Sequence, residues 1–400
     1  MKIMNVVGAR PNFMKIAPII EEIKKYPAEL RQLLVHTGQH YGKEMSDNFF
    51  NDLNLPEPDY FLGVGSGSHA EQTAQIMVKF EEVLMKEQPN VVILVGDVNS
   101  TLACSIVSTK IEYPNENEIK SYDKLRRPLV VHVEAGLRSF DRSMPEEINR
   151  IVTDSLSDFL FTTSQDANEN LIKEGINPEK IFFVGNVMID TLLRYRDRAK
   201  ESSILRSLGL GTRENNGSWK LKRDYAVLTL HRPSNVDRPD TLQGILAAMV
   251  EVAEQIPIIF PVHPRTRKEI EAFSLQDYVN DISNCSNWLN NKIHCIEPLS
   301  YLDFLQLITN SKLVFTDSGG LQEETTVLGI PCVTLRENTE RPVTVWEGTN
   351  VLAGNEKDNI TMVAFDVILE GRRNGRIPKL WDGKAAERIV DILKKSILNG

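Results

Sequence analysis

The chain has 400 residues, 41% of them hydrophobic and 25% charged, with a formal net charge of −9. That length exceeds what a single core serves comfortably and predicts two domains of similar size. The acidic balance, without a clustered Lys/Arg face, argues against nucleic acid as a partner. No apolar run is long enough to span a membrane, and the opening MKIMNVVGARPNF lacks a secretory pattern, so a cytoplasmic protein is expected.

In chain order, the strand-like KIMNVVG is followed by the helix-like FMKIAPIIEEIKKY, with Gly8, Arg10 and Lys15 just after the strand. LRQLLVHTG is a second strand, ending at Gln39 and His40. The helix-like HAEQTAQIMVKFEEVLMKE leads to the strand NVVILVGD, which ends on Asp97, Asn99 and Ser100. A carboxylate at the rim of so apolar a run is costly unless partnered, although D-x-N-S-T also makes a good helix start. Residues 112–128 are polar and read as a surface insertion. RPLVVHVEAG follows, with Glu134 before Gly136 in no evident capping role and Arg138 beyond it; His132 in that strand reads as a core histidine. In MPEEINR, Glu146 and Glu147 suit the first turn of a helix. DFLFTTS and KIFFVGN complete the strands of the first half.

The domain boundary is expected between Asn186 and Asp224, where VMIDTLLRYRDRAK gives way to the polar SLGLGTRENNGSWKLKRD, read as a loop. The division adopted is residues 1–190 and 191–382, with a final helix at about 383–398 as a candidate to pack back onto the first domain. The alternation then restarts with DYAVLTLH, IPIIFPVHP, NKIHCIEPL, KLVFTDS and IPCVTLR, separated by amphipathic segments. Repeated strand–helix units imply an α/β fold of two doubly wound domains with parallel sheets. Ligands of such sheets bind beyond the carboxyl ends of the strands. There the second half offers His231, His263 and the stretch TDSGGLQEE. Ser318, Gly319 and Gly320 would place bare backbone donors at a helix N-terminus, a good phosphate site. Glu324, one turn on, suits a ribose diol, and Arg341 would balance phosphate charge. A plain tight turn is the competing reading. The four cysteines show no metal or disulfide spacing.

GARPNFMK, TGQHY, GDVNST, HVEAGLRS, MPEEINR, VGNVMID, LHRPSN, TDSGGLQEE and the ENTERP segment, in that order, resemble the non-hydrolysing UDP-N-acetylglucosamine 2-epimerases. The resemblance implies two Rossmann-like domains of the glycosyltransferase-B type, with a UDP-sugar in a central cleft, no NAD or metal, and a homodimer. It implies reversible epimerisation at C2, by elimination of UDP to 2-acetamidoglucal and re-addition. It carries catalytic roles onto Asp97, Glu134, Glu147, His231, Arg10 and Lys15. Asp97 and Glu134 are assigned to the C2 protons, Glu147 to orienting or assisting them, and Arg10 and His231 to diphosphate departure. It carries substrate binding onto Arg10, Arg138, His231, Ser318, Gly319, Gly320, Glu324 and Arg341. Gln39-His40-Tyr41-Gly42 lacks the second glutamine of substrate-activated members, which argues against activation by substrate; Gln39, His40 and His263 are left as a possible regulatory set that would retain part of such a site. The alternatives are a 2-epimerase of a UDP-2,3-diacetamido sugar acid, a glycosyltransferase of the same architecture and a non-catalytic nucleotide-sugar sensor.

Overall fold

The structure, a computed structural model, describes residues 1–39, 53, 55–114, 125–215, 217–281, 292–370 and 375–398. His40, Cys285 and much of the expected insertion at 112–128 therefore lie outside the described residues. The chain divides into two compact units. One comprises Met1–Arg194 with the segment from Lys379 onward, and the other comprises Tyr195–Pro378. The division falls inside the helix Val187–Ala199.

The first unit is built on seven parallel strands: β1 (Lys2–Val7), β2 (Arg31–His36), β3 (Tyr60–Phe61), β4 (Val91–Val95), β5 (Leu129–Ala135), β6 (Phe159–Thr162) and β7 (Ile181–Phe183). Their order across the sheet is β3-β2-β1-β4-β5-β6-β7. The order reverses between β1 and β4, which pair directly from Ile3 opposite Val91 to Val6 opposite Leu94. β4 and β5 are buried throughout, as expected of strands covered by helices on both faces. Val6, Leu94 and Val130 pack there against Ile76 and Phe80 of the helix His69–Glu87.

The helix Ala385–Leu398 belongs to this unit and packs on the helix Arg10–Ile23. Its first backbone donors, Ala385 N–H and Ala386 N–H, are capped by the Asp190 carboxylate at 3.1 and 2.8 Å. Burial pushes the Asp190 pKa up to about 6, against the pull of those two donors. Removing the cap leaves two buried donors unsatisfied. Asp190→Ala should therefore destabilise the unit by about 1 kcal/mol, seen as a lower Tm. An unchanged melting curve would show that the helix docks without its cap.

The second unit begins with an antiparallel hairpin, β8 (Gly211–Arg213) and β9 (Trp219–Leu221). This corrects the loop read from the sequence; Asn216-Gly217 was the available hairpin signal. Its main sheet contains β10 (Ala226–Thr229), β11 (Ile258–Pro261), β12 (Asn280–Asp281), β13 (Ile293–Ile296), β14 (Leu313–Thr316), β15 (Cys332–Thr334) and β16 (Asn350–Leu352). The order is β12-β13-β11-β10-β14-β15-β16, again all parallel. Here the reversal lies between β10 and β14, with Leu228, Phe260 and Phe315 packed on Ile245 and Met249. Among the described residues no helix is long and apolar enough to cross a membrane.

Candidate active site

Each unit gathers polar side chains at the place where its strand order reverses. Two neighbouring strands whose following segments leave toward opposite faces open a crevice at their carboxyl ends. In the first unit that place lies between β1 and β4.

After β1 the chain turns at Gly8, where a Cβ would collide with the Ser100 hydroxyl. It then enters the helix Arg10–Ile23. Asn12 secures this turn, accepting Gly8 N–H and Ala9 N–H at 3.1 and 3.0 Å and donating to Val95 O at 2.9 Å. Lys15, one turn further on and only 5% exposed, forms an ion pair with Glu134. Glu134 itself has φ +75°, in the left-handed region that a non-glycine residue rarely enters. The β5–β6 register slips there, between Val133 and Ala135. A strained backbone at a bulge re-aims a side chain, and such strain is concentrated at functional positions.

The helix Pro145–Leu156 supplies the rest. Glu147, Arg150 and Asp154 recur at spacings of three and four and so share one helical face. The Glu147 carboxylate accepts from Ser139 N–H and Oγ at 3.0 Å each and from Phe140 N–H at 2.8 Å. It also takes Arg150 Nη2 at 2.6 Å and Nε at 3.1 Å. Burial works against its charged form, but the Ser139 amide, Arg150 and the Phe140 amide prevail and hold its pKa below the usual carboxylate range. A carboxylate so fully engaged is a poor base and a good anchor. What it anchors is Arg150, whose Nη1 reaches Asp97 Oδ2 at 2.5 Å. Asp97 keeps 24% of its side chain exposed, against 3% for Glu134.

The structure thus gathers Lys15, Asp97, Glu134 and Glu147 around the ends of β4 and β5. It does not bring Arg138 with them. Arg138 is 2% exposed and turned inward onto Leu137 O, Glu174 and Asp154. The backbone of Arg10 begins the helix after β1. Gln39 accepts Ser100 N–H and Oγ at 3.0 and 2.7 Å, which fixes the first turn of the helix Asn99–Lys110. Arg150 was not anticipated from the sequence. Its signal was the i, i+3 spacing from Glu147.

In the second unit the strand ends are those of β10 and β14. His231 follows β10 and places Nδ1 2.8 Å from Asp317 Oδ1, with 47% of its side chain exposed. Asp317 is fully buried and also accepts His231 N–H at 3.0 Å and Arg232 N–H at 2.9 Å. Burial disfavours its charge, yet His231 beside it and those amides hold its pKa below the ordinary value. The pair fixes which ring nitrogen of His231 faces inward. Asp317 was also missed, although it stands directly before Ser318.

The helix Gly319–Leu328 begins there. Ser318 N–H is already given to Thr316 Oγ1 at 2.9 Å, so the approachable donors are those of the glycines that follow. A Cβ on Gly319 would lie 2.6 Å from Glu340 Oε1 and 2.9 Å from Arg341 Cζ, so only glycine lets these side chains come so close. Arg341 pairs with Glu323 at 2.9 Å and Glu340 at 2.5 Å. Glu340 also holds Arg336 at 2.7 Å and Arg232 at 3.5 Å. Three guanidinium groups near a helix N-terminus, balanced by two carboxylates, make a cationic surround suited to a diphosphate. Glu324, 4% exposed, accepts from Tyr301 Oη at 3.1 Å. Burial, opposed by that hydroxyl and reinforced by the charge of Glu323, pushes its pKa up to about 7. His263 is an exposed N-cap, accepting Arg265 N–H at 3.2 Å.

Doubly wound parallel sheets in each of two units define the glycosyltransferase-B type of α/β protein. The family model described as UDP-N-acetylglucosamine 2-epimerase matches residues 21–394. The UDP-N-acetylglucosamine 2-epimerase of Methanocaldococcus jannaschii is 42% identical, covering 98% of this chain and 99% of that protein. A crystal structure of that organism's UDP-GlcNAc 2-epimerase in complex with UDP-GlcNAc and UDP matches with a TM-score of 0.83 at 41% identity, covering 98% of this chain and 99% of the other. A UDP-2,3-diacetamido-2,3-dideoxy-D-glucuronate 2-epimerase of Pseudomonas aeruginosa is 36% identical, over 99% of this chain and all of the other. The chain belongs to the UDP-N-acetylglucosamine 2-epimerase family.

Proposed function

We propose that the protein interconverts UDP-N-acetylglucosamine and UDP-N-acetylmannosamine. One carboxylate takes the C2 proton as the C1–O bond breaks and its electron pair leaves with UDP, giving 2-acetamidoglucal. UDP then re-adds at C1, and a second acid returns a proton to the opposite face of C2. The observation that carries this reading is the pair of carboxylates of unlike setting at adjacent strand ends. Asp97 is half-open and held by Arg150, while Glu134 is buried on a strained bulge and held by Lys15. Inverting a stereocentre calls for separate acid–base groups on its two faces, each placed before the reaction starts. Family membership and the activity of the Methanocaldococcus jannaschii relative support the same reading.

In this reading Asp97 and Glu134 exchange the C2 proton, Glu147 orients Asp97 through Arg150, and Lys15 holds the Glu134 carboxylate in place. Gly319, Gly320 and Arg341 hold the diphosphate, Glu324 the ribose, and His231, braced by Asp317, assists departure of UDP. The test is proton NMR of the protein with UDP-N-acetylglucosamine in D2O. The expected result is a new anomeric signal of UDP-N-acetylmannosamine with deuterium at C2. Turnover of a UDP-2,3-diacetamido sugar acid, with none of UDP-N-acetylglucosamine, would overturn the substrate and keep the chemistry. UDP binding without turnover of either would overturn both.

A further inference from the structure

Behind the two acids lies a second, deeper set of polar groups that the mechanism above does not use. Asp154, 1% exposed, sits on the same helical face as Glu147 and Arg150. Its Oδ1 faces His132 Nδ1 at 2.6 Å, and its Oδ2 accepts Gly136 N–H at 3.0 Å and Arg138 Nη2 at 2.7 Å. His132, fully buried in β5, extends the chain, with Nε2 2.8 Å from Gly96 O. Both ring nitrogens thus meet acceptors.

Gly96 immediately precedes Asp97, and Gly136 lies two residues after Glu134. All three backbones that shape these turns are left-handed, with φ of +69° at Gly96, +75° at Glu134 and +79° at Gly136. Gly96 and Gly136 admit that conformation without strain, whereas Glu134 holds it against its local preference. One carboxylate is tied to both, to β5 directly through Gly136 and to β4 through His132. Stability alone is a weak reason to keep an acid buried this deeply, because desolvating its charge offsets much of what its partners contribute.

We propose that His132, seated on Asp154, is a positioning residue whose bond to Gly96 O fixes the turn bearing Asp97 relative to the one bearing Glu134, and so the spacing of the two acids across C2. This rests on the assignment of those acids to proton exchange. Arg150 adjusts the side chain of Asp97, while His132 sets the backbone beneath it. Displacing a reacting group by about 1 Å costs roughly a hundredfold in rate without weakening binding at a distance.

The test uses three variants of His132. Glutamine puts an amide donor where Nε2 stands and keeps the tie to Gly96. Asparagine puts one where Nδ1 stands and keeps only the tie to Asp154. Phenylalanine keeps neither. The expected result is kcat lowered roughly a hundredfold in His132→Asn and His132→Phe, with KM and UDP affinity within about twofold of wild type, and substantial rescue in His132→Gln. Should His132→Phe fail to fold, the asparagine and glutamine pair carries the comparison. Hydrogen exchange over residues 95–101 reads the same tie without any turnover, and should be faster in His132→Asn than in wild type or His132→Gln. Wild-type turnover, measured in parallel, tests the underlying reaction separately. The proposal is overturned if exchange in that segment is equal in the two variants. It is also overturned if kcat falls equally in both, in proportion to the loss of folded protein.

Discussion

Glu324→Gln should bind UDP some tenfold to a hundredfold more weakly than wild type and yet melt at a higher temperature at pH 8. The first half follows from the proposed ribose contact, because hydrogen bonds to an ionised acceptor contribute about 1.5–3 kcal/mol and glutamine offers one neutral acceptor in place of two charged ones. The second half follows from burial. The carboxyl titrates near pH 7 in the folded protein, against an ordinary value of 4.5. Between those values the folded state binds more protons than the unfolded one, so this group's contribution to stability falls as pH rises through that window. Above pH 7 ionised Glu324 costs the unliganded protein about 3 kcal/mol at most. Glutamine removes that cost and still accepts the Tyr301 hydroxyl. The gap in Tm should close as pH falls toward 4.5. Unchanged UDP affinity would remove Glu324 from the nucleotide site, and a Tm no higher at pH 8 would show that its burial carries no penalty.

Glu134→Gln should lower kcat by about 10³-fold while UDP affinity holds, within the 10²–10⁴-fold range of a lost general acid or base. It should also destabilise, because it strands the buried ammonium of Lys15, and breaking a buried ion pair from one side costs about 3–5 kcal/mol. Adding Lys15→Met removes the stranded charge, so the double variant should regain much of the stability and none of the activity. Solvent exchange then separates the two acids. If Asp97 and Glu134 serve opposite faces, each single variant should still wash deuterium into one epimer and not into the other, with the epimers interchanged between Asp97→Asn and Glu134→Gln. Exchange from the same epimer in both variants would assign the two carboxylates to one face.

The sequence carried the architecture well because parallel strands covered on both faces must be continuously apolar, and KIMNVVG, NVVILVGD and KLVFTDS could hardly be anything else. It carried the strand ends for the same reason, since polar groups accumulate where those runs stop. It did not carry strand order. That β1 lies beside β4, and β10 beside β14, is decided by pairing between segments nearly ninety residues apart, which leaves no local pattern. The direction of Arg138 was not legible for a related reason. An arginine just beyond a strand-end acid looks ready for a ligand, but its direction is set by left-handed turns at Glu134 and Gly136, and these send it inward to Asp154. Arg150 and Asp317 were overlooked because each acts through a neighbour, and a supporting role has no composition of its own. The hairpin at Gly211–Leu221 escaped because its strands are short and polar, and packing had little to write into them.

The segment that returns to the first unit at Lys379 also bears on how the chain is made. Ile389, Val390 and Leu393 of its helix are at most 1% exposed in the finished fold. Trp381 beside them donates its indole N–H to Thr163 O at 2.8 Å. These residues leave the ribosome only after the whole of Tyr195–Pro378, a delay of roughly ten to forty seconds at about 5–20 residues per second. For that interval the nascent first unit carries an uncovered apolar face on the helix Arg10–Ile23, and Asp190 lacks the two amides it caps in the finished fold. That face stays open to chaperones that shield emerging chains until the helix Ala385–Leu398 is made.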